Sequence, residues 1–477
     1  MAGNAKITTT SLALMTAAAV ISLRGLPMMA KEELTMFFYI GFATFLYLIP
    51  ASLVAAELGS AFGDKGGGVY SWVKAGFGAK AGFLSIWLQW IQNVVWYPTV
   101  LAFAAACIAY LIGKPELAGD GTFVGIFSIA IYWLATLLAF KGTSLISKVT
   151  SLGFVLGTVI PGVVIILIAI LYIVQGNPIE FLHPDATEKA VARVVDGQVH
   201  PRLFPYIAGI GDIAFLAGIL LLFAGVEVHA VHAQELENPQ RDFPRAIGLA
   251  GIIIFLLFTF GSLAVATILP YDQIDLQAGL MEAFKRIFTF YHMPWMTGII
   301  GLLAAFGVLA GVTSWIAGPS KGLLWTAKEG VLPPFWSKVN KNGIQQNILI
   351  VQGIIVSILS SLYFVMDNVS VAFFLLSALT IGLYLIMYMY MYATGIKLRY
   401  TMPDLPRAYR VPGGNAGMWF FAGMGFVATL FAFVVAFFPP TQLPVGSPGM
   451  YVGLVAAGTI IFVGVPLLIA RHPHTHL

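Results

Sequence analysis

Two stretches of this 477-residue chain set charge and glycine inside otherwise apolar sequence. The first reads Thr16-Ala-Ala-Ala-Val20-Ile21-Ser22-Leu-Arg24-Gly25-Leu-Pro27. Small residues followed by Gly25 and Pro27 make weak helix, because proline lacks a donor and clashes with the carbonyl one turn back. Backbone freed within a membrane has to line a cavity, since lipid cannot hydrogen-bond it. Arg24 lies in this stretch, and an intramembrane arginine marks a functional site by default. It can bind an anionic substrate group, pair with Glu227, or snorkel to the outer interface. The second stretch reads Phe223-Ala224-Gly225-Val-Glu227-Val-His229-Ala-Val-His232-Ala-Gln-Glu235. Gly225 loosens the helix, and the half-helix after it would aim its positive end at the break, where a carboxylate is favoured. Glu227 beside that break is either a structural carboxylate bonded to freed amides or a coupling acid. His229, His232 and Glu235 share a face at metal-ligand spacing, but no further ligand set accompanies them, and a polar helix end is preferred to a metal site.

Other polar and aromatic groups stand in mid-span. Gln89, Trp90, Gln92, Asn93, Trp96 and Tyr97 either wall a cavity or tie helices together. Thr313, Ser314 and Trp315 precede Gly318-Pro319. Thr380, Tyr384 and Tyr388 recur every four residues, on one helix face, as packing or as a gate. Glu57 ends an apolar stretch near the inner face, as a structural or an inner-gate residue. The glycine run after Asp64-Lys65 lacks the strand and the Lys-Ser/Thr ending of a phosphate loop. No nucleophile–base set or paired acids point to an enzyme, and nothing implies a cofactor, a metal or a nucleic-acid partner.

The elements that must position these groups are membrane helices. The chain is 59% hydrophobic and 10% charged, whereas a soluble domain carries about a quarter charged residues. A span needs about 20 apolar residues, and twelve stretches qualify: roughly 8–30, 34–58, 80–112, 122–141, 146–174, 205–234, 246–269, 294–326, 346–366, 369–396, 416–438 and 450–470. The expected fold is therefore an all-α, twelve-span membrane protein in a single transmembrane domain. Lys and Arg concentrate in 59–79, 141–148, 235–246, 321–345 and 397–413, which places these loops and both termini in the cytoplasm. The single cysteine, Cys107, excludes a disulfide framework, and no cleavable signal peptide is evident. The two weakened helices are the first and sixth, an odd offset that implies inverted halves, and paired broken helices point to a transporter site.

The motifs resemble the amino acid–polyamine–organocation superfamily, and within it the bacterial glutamate/γ-aminobutyrate antiporters. The match runs from about 8 to 470 and rests on Ile49-Pro-Ala-Ser-Leu-Val-Ala-Ala-Glu57; Gly67-Gly68-Val-Tyr70-Ser-Trp72; Gly225-Val-Glu227 with Glu235-x-x-Asn238-Pro239-x-Arg241-Asp242-x-Pro244; Ser314-Trp315-Ile-x-Gly318-Pro319-Ser320; Asn340-Lys-Asn-Gly343; and Pro403-Asp404-Leu with Pro412-Gly-Gly. The resemblance implies a LeuT-like fold, with inverted five-helix repeats at 8–174 and 205–396 and two further helices at 416–470. It implies a bacterial inner-membrane protein, a monomer or homodimer in the bilayer, that takes small amino-acid substrates. Their charged ends would meet the backbone at Val20, Ile21 and Ser22 and at Phe223, Ala224 and Gly225. Phe223 would be a lid and Trp315 the aromatic facing the substrate side chain. Arg24, Gly25, Glu227 and Tyr384 complete the expected binding set; Glu227, Trp90, Trp96, Tyr97 and Tyr388 are the expected gating or coupling set. The chain departs from the resembling antiporters twice. It stops at Arg471-His-Pro-His-Thr-His-Leu, too short for their C-terminal plug, and it has Arg24 where they carry an aromatic. Arg24 favours an acidic substrate exchanged for a related amino acid or its decarboxylation product; proton-coupled symport of neutral amino acids is the alternative. A receptor or channel would be the different-class reading.

Overall fold

The computed structural model describes residues 8–62, 68–182, 194–195, 198–199, 203–205, 207–230 and 236–469. Among the described residues, ten helices are long and apolar enough to cross a membrane. Two shorter apolar helices, Thr9–Val20 and Ile210–Phe223, are not, and each of these ends at a break in the backbone. Helix α1 (Thr9–Val20) stops where Ile21 and Ser22 turn extended. A single turn of 3-10 helix, Leu23–Gly25, then leads into α2 (Leu26–Glu32). The helical run Leu23–Phe62 has 40 residues; unbroken, it would reach ~60 Å, twice the hydrocarbon core. The chain turns instead at Glu33, whose φ is 49°. It continues through α3 (Met36–Gly41), a wider-wound stretch Phe42–Leu48 and α4 (Ile49–Phe62).

Pro27 does not make the first break, contrary to the sequence expectation. It occupies the first turn of α2, where its missing N–H would have had no partner in any case. The break lies five residues earlier, at Ser22.

Helix α5 (Val69–Phe77) lies between α4 and the long α6 (Ala79–Leu111); α7 (Gly121–Ala139), α8 (Thr143–Phe154) and α9 (Ile160–Val174) follow. A two-residue antiparallel ladder pairs Val194 with Val199 and Val195 with Gln198. Helix α10 (Phe215–Phe223) ends at the second break, and α11 (Glu227–Ala230) resumes beyond it. The remainder is α12 (Pro239–Ile268), α13 (Gly279–Phe290), α14 (Met296–Lys328), α15 (Gln346–Ser360), α16 (Leu362–Val365), α17 (Val369–Thr401), α18 (Gly414–Val435) and α19 (Pro448–Ile469). The most apolar windows of α6 and α17 are 83% and 94% buried, against 11% for α19. Helices α6 and α17 therefore lie in the interior, whereas α19 leaves most of its side chains exposed.

Glu57 at the end of α4 has a structural role. It receives Arg399 of α17 through two bonds of 2.6 Å, the Val411 amide at 2.7 Å, and Arg407 at 3.1 Å. Arg407 also donates to the carbonyls of Leu398 and Met402 and so caps the C-terminus of α17.

Candidate functional site

The two breaks face each other through glycines. A methyl group on Gly25 would stand 2.3 Å from Leu222 of α10, and one on Gly225 would stand 3.1 Å from the Trp315 ring. Gly225 also has φ +116°, a conformation side chains other than hydrogen rarely adopt. Ala224 precedes it in extended geometry. Two residues thus leave the helix at each break, and the amides opening the next half-helix have no helical acceptor upstream.

Glu227 is buried beside the second break. Its carboxylate accepts from Gln89 of α6 at 3.0 Å and from the hydroxyls of Tyr384 and Tyr388 of α17. Tyr388 in turn accepts from the Gly225 amide at 3.0 Å. One hydroxyl therefore satisfies a freed backbone donor and also holds the acid. Thr380, on the same face, bonds its own helix at Leu376 instead. Tyr392, one turn beyond Tyr388, reaches the Tyr47 carbonyl at 3.4 Å.

Arg24 is 2% exposed, so it does not snorkel. Nor does it meet Glu227: among the described residues its guanidinium forms no ion pair. It lies between two aromatic rings, 5.8 Å from the centre of Trp96 and 5.7 Å from that of Phe373, within cation–π range. Its Nε has no hydrogen-bond partner. Trp96 also lies 6.0 Å from Trp315, so Arg24, Trp96, Trp315 and Gly225 follow one another across the space between the breaks.

The remaining expected site residues divide. Val20, Ile21, Ser22 and Gly25 are at the first break. Phe223 is buried against Phe258 of α12, 5.1 Å between rings, facing α12. Trp90 is fully buried and donates to Gln352 of α15 at 2.7 Å; it belongs to the helix packing behind the breaks. Tyr97 is buried too and accepts from Asn93 at 2.7 Å. The His229–His232–Glu235 set lies outside the described residues apart from the His229 backbone. Among the described residues no group of His, Cys, Asp or Glu could hold a metal. Phe373 was not anticipated: in a run of apolar residues on α17 nothing separates one phenylalanine from the next. Gln89 carried a signal, a polar group in mid-span, that does not name its partner.

Residues 7–463 match the family described as amino acid permease. The chain belongs to the amino acid permease family. An uncharacterized transporter of Legionella pneumophila is 39% identical over 461 residues, covering 97% of this permease and 96% of its own length. A glutamate/γ-aminobutyrate antiporter of Lactococcus lactis is 30% identical over 459 residues, 95% of this permease and 88% of that protein. A probable agmatine/putrescine antiporter of the same species is 21% identical over 436 residues, 89% and 86% of the two chains. With its apolar helices, this permease is a multi-pass membrane protein of a transporter family.

Proposed function

We propose that the protein is a secondary active amino-acid exchanger of the bacterial inner membrane, selective for acidic amino acids. The observation that carries the acidic preference is Arg24: a cation buried at the first break, held between aromatic rings, with its Nε unpartnered. Removing a cation from water without a counter-charge costs several kcal/mol, and a substrate carboxylate would supply the missing partner through charge-assisted hydrogen bonds. An Arg24–Glu227 pair would leave no cation for the substrate and favour neutral amino acids, but Glu227 takes its hydrogen bonds from Gln89, Tyr384 and Tyr388. The similarity to a glutamate/γ-aminobutyrate antiporter supports exchange over symport.

In this reading the substrate's α-carboxylate and amino group meet the open backbone at Val20–Gly25 and Phe223–Gly225, and a side-chain carboxylate reaches Arg24. Trp315 covers the side chain. Tyr384, Tyr388 and Glu227 close the path on the cytoplasmic side. The twelve spans form inverted repeats at 8–174 and 205–396, followed by 416–470, with both termini cytoplasmic. The bundle that contains α1, α4, α10 and α12 rocks against a scaffold that contains α6, α7, α14 and α15, opening the site to one face at a time.

The test is a competition screen in proteoliposomes preloaded with L-glutamate. Acidic amino acids should displace labelled glutamate best. Neutral amino acids competing equally well would remove the acidic preference, and no exchange with any amino acid would sink the function itself.

A further inference from the structure

Helix α14 contains Pro319. Within a helix, residue 319 would donate its amide hydrogen to the carbonyl of residue 315. Proline has no such hydrogen, so the Trp315 carbonyl loses its helical donor in the middle of a membrane. Asn93 of α6 replaces it: Nδ2 lies 3.1 Å from the Trp315 oxygen. An amide oxygen cannot donate, so the orientation of the Asn93 side chain follows from this contact. The second Nδ2 hydrogen goes to the Tyr97 hydroxyl at 2.7 Å. Asn93 is 3% exposed, out of reach of bulk water.

Asn93 is itself held in place. Tyr97 packs its ring 5.0 Å from that of Tyr132 of α7. The Tyr132 hydroxyl accepts from Gln352 at 2.6 Å, and Gln352 accepts from Trp90 at 2.7 Å. Three scaffold helices thus fix one amide, and that amide holds the backbone of the residue whose ring touches Gly225.

We propose that Asn93 is a positioning residue, which sets the Trp315 ring against the second break by standing in for the hydrogen that Pro319 lacks. This rests on the reading of Trp315 as a lining residue of the substrate site. Asn93 does not touch the substrate; it acts through Trp315.

A double-substitution cycle in proteoliposomes tests this. Asn93→Leu removes the donor at similar volume. Pro319→Ala restores an amide hydrogen to the Trp315 carbonyl within α14. Asn93→Leu should raise the KM for L-glutamate by about tenfold, the factor one hydrogen bond is worth, with a smaller change in kcat. The same substitution should raise KM much less when Pro319→Ala is already present. The melting temperatures of the four purified proteins should show the same rescue. Equal effects of Asn93→Leu in both backgrounds, or a fall in kcat with KM unchanged, would overturn the proposal. If the wild-type protein exchanges no amino acid, the functional reading fails, and the melting temperatures still decide whether Asn93 substitutes for the missing helical donor.

Discussion

The hydroxyl of Tyr388 accepts the amide hydrogen of Gly225 at 3.0 Å and gives its own to Glu227. Backbone opened by the second break is thereby satisfied by a helix 163 residues further along the chain. Tyr388→Phe keeps the ring, which packs 5.0 Å from that of Tyr47, and removes both bonds. A buried donor left unpaired costs about 1–3 kcal/mol. Exchange should slow and the melting temperature should fall by several degrees. Tyr384→Phe removes a bond to Glu227 alone and should be milder. Equal stability losses in the two variants would show that the Gly225 contact contributes nothing.

Arg24→Gln keeps a polar side chain and removes the charge. Loss of a charge-assisted hydrogen bond, about 1.5–3 kcal/mol, predicts a rise of about ten- to a hundredfold in the KM for glutamate. The KM for glutamine should move little. A parallel change for both substrates, measured side by side, would show that Arg24 does not read the side-chain carboxylate.

The two glycines at the breaks should respond unequally. Gly25→Ala pushes its methyl into the Leu222 side chain, and Leu222→Ala in the same protein should recover part of the loss. Gly225→Ala meets Trp315 and also forces a side chain onto a backbone with φ +116°. Left-handed backbone adds about 1–2 kcal/mol, which trimming a neighbour cannot return. Thermal denaturation of the single and double variants checks this; full recovery of Gly225→Ala by Trp315→Phe would contradict it.

Glu57→Gln leaves Arg399 and Arg407 buried with no counter-charge. Breaking a buried pair from one side costs about 3–5 kcal/mol, so this variant should be poorly folded. Glu57→Gln combined with Arg399→Met removes a charge of each sign and should be more stable than Glu57→Gln alone. The yield of monodisperse protein after extraction in detergent is the readout.

Outside the spans, Lys74 and Glu329 form a 3.2 Å pair, with the ammonium 5.1 Å from the centre of the Tyr70 ring. Interaction with Tyr70 does most to raise Lys74 above its ordinary value. Burial alone would raise Glu329, but the nearby Tyr70 and the bond from Lys74 outweigh that and hold it below the usual carboxylate range. A depressed carboxyl contributes stability above its unfolded value, about 4.3, and loses it as pH falls through the lowered folded value. A raised lysine contributes below about 10.4 and loses that as pH rises through the raised folded value. The pair should therefore stay intact from about pH 5 to 9. Both side chains are part-exposed, so it contributes at most ~1 kcal/mol. Glu329→Gln should leave the pH profile of exchange between pH 5 and 8 unchanged; a shifted profile would show that the pair gates transport.

Much of this arrangement was legible in residue order. Gly225 beside Glu227 marked the second break, and the run from Thr16 to Pro27 bracketed the first. Pro27 misled because a proline in a first helical turn breaks nothing, and only the surrounding geometry shows which turn it occupies. The partners were not readable. Arg24 and Glu227 are opposite charges at two adjacent breaks, so pairing them is the natural guess. Glu227 instead takes three neutral donors from α6 and α17, and Arg24 faces two rings. Glu57 and Arg399 lie 342 residues apart; periodicity along one helix carries no information about which distant helix it will face. Asn93 showed only that a polar group stood in mid-span, and its acceptor follows from Pro319, a residue in another helix.

Exchange of an acidic amino acid at the paired breaks can be read directly from transport. Its most direct measurement is uptake of labelled L-glutamate into proteoliposomes that are either empty or loaded with unlabelled glutamate, with and without an inward proton gradient. Exchange predicts fast uptake into loaded vesicles and almost none into empty ones, whatever the gradient. Gradient-driven accumulation in empty vesicles would contradict it.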